Sequence, residues 1–228
     1  ALISFFIFLI VSKFSHKFRN GALLDEDFLK PQAFHEIPVT RSGGIAVIIS
    51  FSIFLVIYYL LYEKILYDYI FISYSVFLVG FLDDLRININ PFKRLIIMML
   101  LLFIFINFLP IKILNIDIPL LTSLMSNHIF SSIFVLLCFL FVINGANLID
   151  GFNGLLAINL IIINIILTYI NINNENLEFS ILIISQIIIL FSFLLFNFPN
   201  AKIFFGDSGA YTMGALTSLN IITTNNLN

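Results

Sequence analysis

Only 11% of the 228 residues are charged, three are histidines and one is a cysteine. Each scarcity excludes something. So little charge, beside 61% hydrophobic residues and a mean hydropathy of +1.09, does not suit a soluble domain of this length and implies a polytopic membrane protein. The lone Cys138 lies inside an apolar run, which excludes a disulfide framework and makes it a small core residue. His16, His35 and His128 stand singly, lack metal-site spacing and read as interfacial polar residues. No period-two alternation runs through the apolar stretches, which excludes barrel strands and leaves helices. The net charge of -2 excludes little, because the placement of charges counts for more than their sum. Ala1 opens on an apolar run with no initiator methionine or basic leader, and another such run closes the chain, so truncation at both ends is expected.

What is present is a series of apolar runs separated by short polar breaks. The fold class expected is all-α: a single membrane-embedded domain over residues 1–228, with about eight transmembrane helices. Their hydropathic limits are 1–11, 43–59, 69–82, 95–109, 129–143, 155–170, 179–196 and 210–222. Several fall below the ~20 residues that a perpendicular span requires, so their ends are set only to within a few residues. Weak alternation over 113–118 suggests a short strand pair in the polar excursion from Pro110 to His128.

Charge placement orients the bundle. With the 13–42 loop inside, nine cations (Lys13, Lys17, Arg19, Lys30, Arg41, Arg86, Lys93, Arg94 and Lys202) fall on that side, and two, Lys64 and Lys112, on the other. The positive-inside rule makes the first side cytoplasmic. That assignment gathers Asp83 and Asp84, the Asn144–Gly154 stretch NGANLIDGFNG and the 206–209 stretch GDSG on one face, beside the first loop.

These stretches carry the chemistry. An ionised carboxylate at mid-bilayer costs roughly 2.5–3.5 kcal/mol on insertion scales, so Asp150 belongs at a boundary or a wet cavity. Gly145, Gly151 and Gly154 admit close backbone approach or a sharp turn, which marks a junction between two spans. Asp83 and Asp84 are adjacent on a helix and point about 100° apart, so divided roles suit them better than one shared ion. A hard cation such as Mg²⁺ takes oxygen ligands, which Asp207 and Asn147 offer. Phe204 is a candidate to stack a nucleobase, against the alternative that it is one of 28 structural phenylalanines.

LVGFLDDL, NGANLIDGFNGLLA and FFGDSGAYTMG, in that order and between spans, resemble the polyprenyl-phosphate N-acetylhexosamine-1-phosphate transferases, glycosyltransferase family 4. The loop HEIPVTRSGG resembles the family's His-x-x-Pro-x-x-Arg-x-Gly-Gly signature, in the form of its GlcNAc-1-phosphate transferase branch. The resemblance implies Asp83, Asp84 and Asp150 as catalytic aspartates and Asn147 and Asp207 as ligands of Mg²⁺, with Mn²⁺ as a substitute. It also implies substrate contacts from Arg41, Asn144, Asn153, Lys202 and Phe204. Two features depart from the family. Asn153 stands where many members have a second Asp, and the His-rich cytoplasmic loop expected after the eighth span lies outside these residues, so activity is expected of a longer protein.

The reaction implied is transfer of a sugar-1-phosphate from a UDP-sugar to a polyprenyl phosphate, releasing UMP and starting a cell-envelope glycan such as lipopolysaccharide. The setting implied is the bacterial cytoplasmic (inner) membrane, with the active site facing the cytoplasm. Partners are the two substrates and the lipid bilayer, with no nucleic acid and with a homodimer as the assembly allowed. Two rivals stand beside this reading. The first is a muramoyl-pentapeptide phosphotransferase, which has a Thr-Pro-Thr-Met-Gly-Gly pattern in the first loop. The second is a cation-coupled transporter, which would place its acids in mid-span, where this chain has none.

Overall fold

The computed structural model describes residues 1–15, 23–25, 38–87, 89–109, 111–114, 116 and 118–227. His16, Lys17, Arg19, Lys30 and His35 lie outside these. Among the described residues there are nine helices: α1 (Leu2–Phe14), α2 (Gly43–Tyr62), α3 (Tyr67–Asp84), α4 (Pro91–Phe108), α5 (Pro119–Met125), α6 (His128–Ile149), α7 (Leu155–Asn173), α8 (Leu177–Asn197) and α9 (Gly206–Asn225). All but the short α5 coincide with the eight expected spans. Five of them, α2, α4, α6, α7 and α8, are long and apolar enough to cross a bilayer by length and composition. The protein is a multi-pass helical membrane protein.

Most of the helices run past their hydropathic ends. A polar residue ends an apolar run but not a helix, since its backbone still makes the i to i-4 bond. Thus α6 continues through Asn144, Gly145 and Asn147 to Ile149, and α3 reaches both of its aspartates. Local chemistry sets other ends. Asn90 and Asn127 accept from backbone N–H groups of the first turns of α4 and α6, and Gly154, at φ 76°, makes the left-handed turn that opens α7. Of the strand pair expected over 113–118, residues 115 and 117 lie outside the described residues; the described ones there are in no strand and lead into α5. Strand pairing occurs instead in the first loop, where β1 (Leu24–Asp25) pairs antiparallel with β2 (Val39–Thr40).

Helix α9 is the hub. It packs against α2, α3, α6 and α7, and every residue from Ser208 to Asn220 is buried. Its sequence, GDSGAYTMGALTSLN, is rich in small and hydroxylated residues, as suits a helix that meets other helices and not lipid. A neutral polar network fixes its rotation. Tyr69 donates through its OH to Asn220 Oδ1 at 2.8 Å, and Asn220 Nδ2 donates to Asn164 Oδ1 and Gln186 Oε1, each at 2.8 Å. Asn164 Nδ2 reaches Thr217 Oγ1 at 3.2 Å. Four helices are thereby cross-linked where water cannot compete.

The up-and-down order brings the C-terminal ends of α3, α6 and α8 and the N-terminal ends of α2, α4, α7 and α9 to one face. On the far face, Glu178 accepts from Tyr58 OH at 2.6 Å and Lys64 Nζ at 2.7 Å.

Two outcomes follow from this arrangement. In a Cys138→Ser background, cysteines placed at Lys93 and at Asn174, both exposed, should react with an impermeant reagent from opposite sides of sealed vesicles; reaction from one side contradicts the topology. Asn220→Leu orphans three buried polar partners and should cost about 1–3 kcal/mol, read as a lower melting temperature in detergent; an unchanged melt would show that the network adds no stability.

Candidate active site at the convergent helix ends

Asp84, the last residue of α3, is 1% exposed. Its carboxylate accepts from the backbone N–H of Asp207 at 2.8 Å, from that of Ser208 at 3.0 Å and from the Ser208 hydroxyl. It therefore caps α9 from outside, satisfying amides that the first turn leaves unpaired and placing negative charge at the positive end of the helix dipole. The approach is close. A Cβ on Gly206, whose φ is 74°, would lie 2.7 Å from both Asp84 oxygens, and one on Gly80 would lie 2.5 Å from the Ser208 backbone. Only glycine allows α3 and α9 to meet this way.

Asp83 behaves differently. Its side chain is 27% exposed, and its Oδ2 accepts from Arg94 Nη1 at 2.6 Å. The same nitrogen donates to Asp207 Oδ2, also at 2.6 Å. Arg94, in the first turn of α4, thus bridges aspartates from two separate motifs. The Arg94 guanidinium carbon sits 5.4 Å from the centroid of the buried Tyr211 ring, in cation–π range. Tyr211 OH accepts from Asn147 Nδ2 at 3.3 Å and donates to Asp207 Oδ2 at 3.5 Å. Asp83, Arg94, Asp207, Tyr211 and Asn147 form one contiguous cluster.

The remaining expected residues fall into two groups. Asp150, half-buried, ends α6 on the same face. Withdrawal from solvent, and then the charges of Asp207 and Asp84, push its carboxyl well above the usual carboxylate range. Arg41 pairs with Asp25 at 2.7 Å. Burial works against its charge, but the bond and charge of Asp25, with Asp84 and Asp207, raise its pKa further. By contrast, Asn144 donates to Leu140 of its own helix at 2.8 Å, and Asn153 donates to the Pro199 carbonyl at 3.0 Å, stapling the α6–α7 turn to the α8–α9 loop. Lys202 is exposed, and half-buried Phe204 is held by its backbone, donating to the Thr40 carbonyl at 2.8 Å and accepting from Gly43 at 2.9 Å. Gly145 and Gly151 have open space where a Cβ would stand, so neither is required by packing.

Sequence reasoning missed Arg94 and Tyr211 as members of the cluster. Arg94 carried a signal: with Lys93 it puts two cations into the first turn of α4, where the helix dipole disfavours them and no acid follows. Tyr211 carried a weaker one: it lies within FFGDSGAYTMG, four residues after Asp207 and so on the same helix face. The strand that leads into α2 was missed too. Thr40 bridges Ile203 in parallel, tying the first loop to the GDSG stretch.

The residues fit a divalent cation. Among the described residues no three His, Cys, Asp or Glu side chains gather tightly enough to hold an ion alone. Mg²⁺ characteristically needs only one or two protein oxygens, with substrate phosphates and water completing the shell. Asp207 and Asp83 already converge on one positive group, the Arg94 guanidinium.

The family described as Glycosyl transferase family 4 matches residues 66–225, well over half of the chain, and the protein belongs to that family. It is therefore a transferase enzyme of the polyprenyl-phosphate sugar-1-phosphate class, whose substrates are a UDP-sugar and a polyprenyl phosphate and whose members are typically Mg²⁺-dependent. The matched region holds α3 to α9 and all three motif stretches, and leaves out the HEIPVTRSGG loop. A search of curated proteins finds no match.

The contrast within the aspartate pair can be measured. Asp84→Asn turns an amide NH₂ toward buried N–H donors and should cost about 2–4 kcal/mol of stability. Asp83→Asn loses a partly exposed ion pair and should cost less than about 1 kcal/mol. Thermal melts of both variants in one detergent decide it, and equal losses would refute the division.

Proposed function

We propose that the enzyme transfers an N-acetylhexosamine-1-phosphate, foremost GlcNAc-1-phosphate, from its UDP-sugar to polyprenyl phosphate on the cytoplasmic face of the bacterial inner membrane, starting a cell-envelope glycan. The observation that carries the reading is the sharing of one cation by Asp83 and Asp207. Carboxylates from two motifs are aimed at one point on the face where the polar stretches meet. The choice of sugar is supported by the HEIPVTRSGG loop, and the inward orientation by the nine-to-two asymmetry of cations.

In the reaction, an oxygen of the lipid phosphate attacks the phosphorus attached to the sugar, the bond from that phosphorus to the bridging oxygen breaks, and UMP leaves with the electron pair. The lipid phosphate, with a second pKa of ~6, is largely ionised at neutral pH and needs alignment and charge neutralisation more than a strong base. Asp207 and Asn147, both bonded to the Tyr211 hydroxyl, would hold Mg²⁺. A divalent ion held there would supply positive charge to the diphosphate and to the leaving UMP. Asp83 orients the nucleophile or takes its proton. Asp84 aims Asp207 by holding the start of α9. Asp150, which ends α6 on the same face, is the third catalytic aspartate that the resemblance implies. Arg41 and Lys202 steer the two anionic substrates, and one displacement suffices.

The complete protein, given UDP-GlcNAc, polyprenyl phosphate and Mg²⁺, should release UMP, and the muramoyl-pentapeptide donor should not replace UDP-GlcNAc. Asp207→Asn should lower turnover on the order of 10²-fold or more while membrane insertion persists. Near-normal turnover of that variant at limiting Mg²⁺ would contradict the assignment.

A further inference from the structure

The Arg94 guanidinium sits between two carboxylates of different helices. One of its nitrogens lies 2.6 Å from the Oδ2 atoms of both Asp83 and Asp207, and its face lies over Tyr211. The three side chains are 20%, 27% and 17% exposed, so their charges are only partly screened by water. Two carboxylates this close to one another repel unless a cation lies between them, and Arg94 supplies it from a separate helix. Asp207 Oδ2 already accepts from Arg94 and from the Tyr211 hydroxyl, so a divalent ion drawn to that oxygen displaces one of them, and its charge repels the guanidinium.

We propose that Arg94 is a resident counter-cation which competes with the divalent ion for Asp207 and Asp83, so that one of the two carboxylate charges is already balanced in the metal-free site and the metal binds only as Arg94 withdraws. The proposal rests on the reading of Asp207 as a metal ligand. An anionic diphosphate gives the withdrawn guanidinium a new partner, so metal and nucleotide bind cooperatively and neither binds well alone. Of the groups facing Arg94, Asp83 and Asp207 lose its charge on withdrawal and gain that of the ion, while Tyr211 is neutral and keeps its hydroxyl bond to Asn147.

The test is Mn²⁺ binding to the purified protein without substrates, followed by electron paramagnetic resonance, for wild type, Arg94→Gln and Arg94→Lys. Removing the competitor in R94Q should tighten Mn²⁺ binding roughly tenfold, the scale of two partly exposed ion pairs. Both bonds come from a single nitrogen, which a lysine ammonium can replace, so R94K should stay within about threefold of wild type. Equal or weaker binding in R94Q overturns the proposal, as does R94K binding as tightly as R94Q. R94Q could lose stability without metal because its carboxylates repel; Mn²⁺ must then raise its melting temperature more than that of wild type, and a variant still unfolded at saturating Mn²⁺ overturns the proposal. Absence of Mn²⁺ binding in all three proteins, with and without UDP, overturns the metal assignment itself. Binding in all three with no gain in R94Q leaves that assignment standing and removes only the competition.

Discussion

A buried carboxylate at a helix start governs this site. Asp84 is withdrawn from water almost completely, a placement that costs several kcal/mol unless the charge is met by well-aligned donors. Two backbone amides and a hydroxyl of α9 meet it, and the helix dipole adds to them. Because the donors belong to residues 207 and 208, the interaction fixes the side chain of Asp207 as a by-product of neutralising Asp84. Gly80 and Gly206 are then required by the same contact, since it leaves no volume for a methyl group at either position.

Stacked on that foundation is a second layer of charge that is looser and more exposed. Asp83 and Asp207 face each other across Arg94, and Asn147 joins through Tyr211. Adjacent aspartates thus sit in opposite settings: Asp84 is buried and holds a helix start, and Asp83 is partly exposed and pairs with Arg94. Their divergence follows from the helical period, which turns successive side chains about 100° apart. A phosphoryl transfer needs little covalent help from the protein and much positioning, and this division delivers both a rigid anchor and an adjustable charge.

The sequence was legible where the physics is local. Eight apolar runs became eight helices, and the three motif stretches met on one face because the spans alternate in direction. Family membership was legible from those same stretches. Long-range partnerships were not legible. Nothing local ties Arg94 to Asp207 across 113 positions, or Asp25 to Arg41 across two strands of a loop. The bond from the Asn153 amide to Pro199 was not legible either, since a polar residue in a turn announces no particular partner. Most helix ends were misjudged in one direction for one reason: hydropathy follows the lipid boundary, and hydrogen bonding carries the helix past it. The described residues within the strand pair expected over 113–118 form no strand, since a short alternation does not by itself specify a partner.

The small, hydroxylated face that lets α9 sit among four helices also makes it a poor membrane segment on its own. In bare lipid its threonines, serines and Asn220 would face hydrocarbon with nothing but their own backbone to bond, and its length holds too few large apolar side chains to compensate. Its place in the bilayer is therefore a collective property, supplied by α2, α3, α6 and α7 and not by its own hydropathy. During synthesis those four helices emerge first, so the segment carrying Asp207 enters the membrane as a plug into a ring already made. Assembly of the catalytic face and completion of the bundle are in that sense one event.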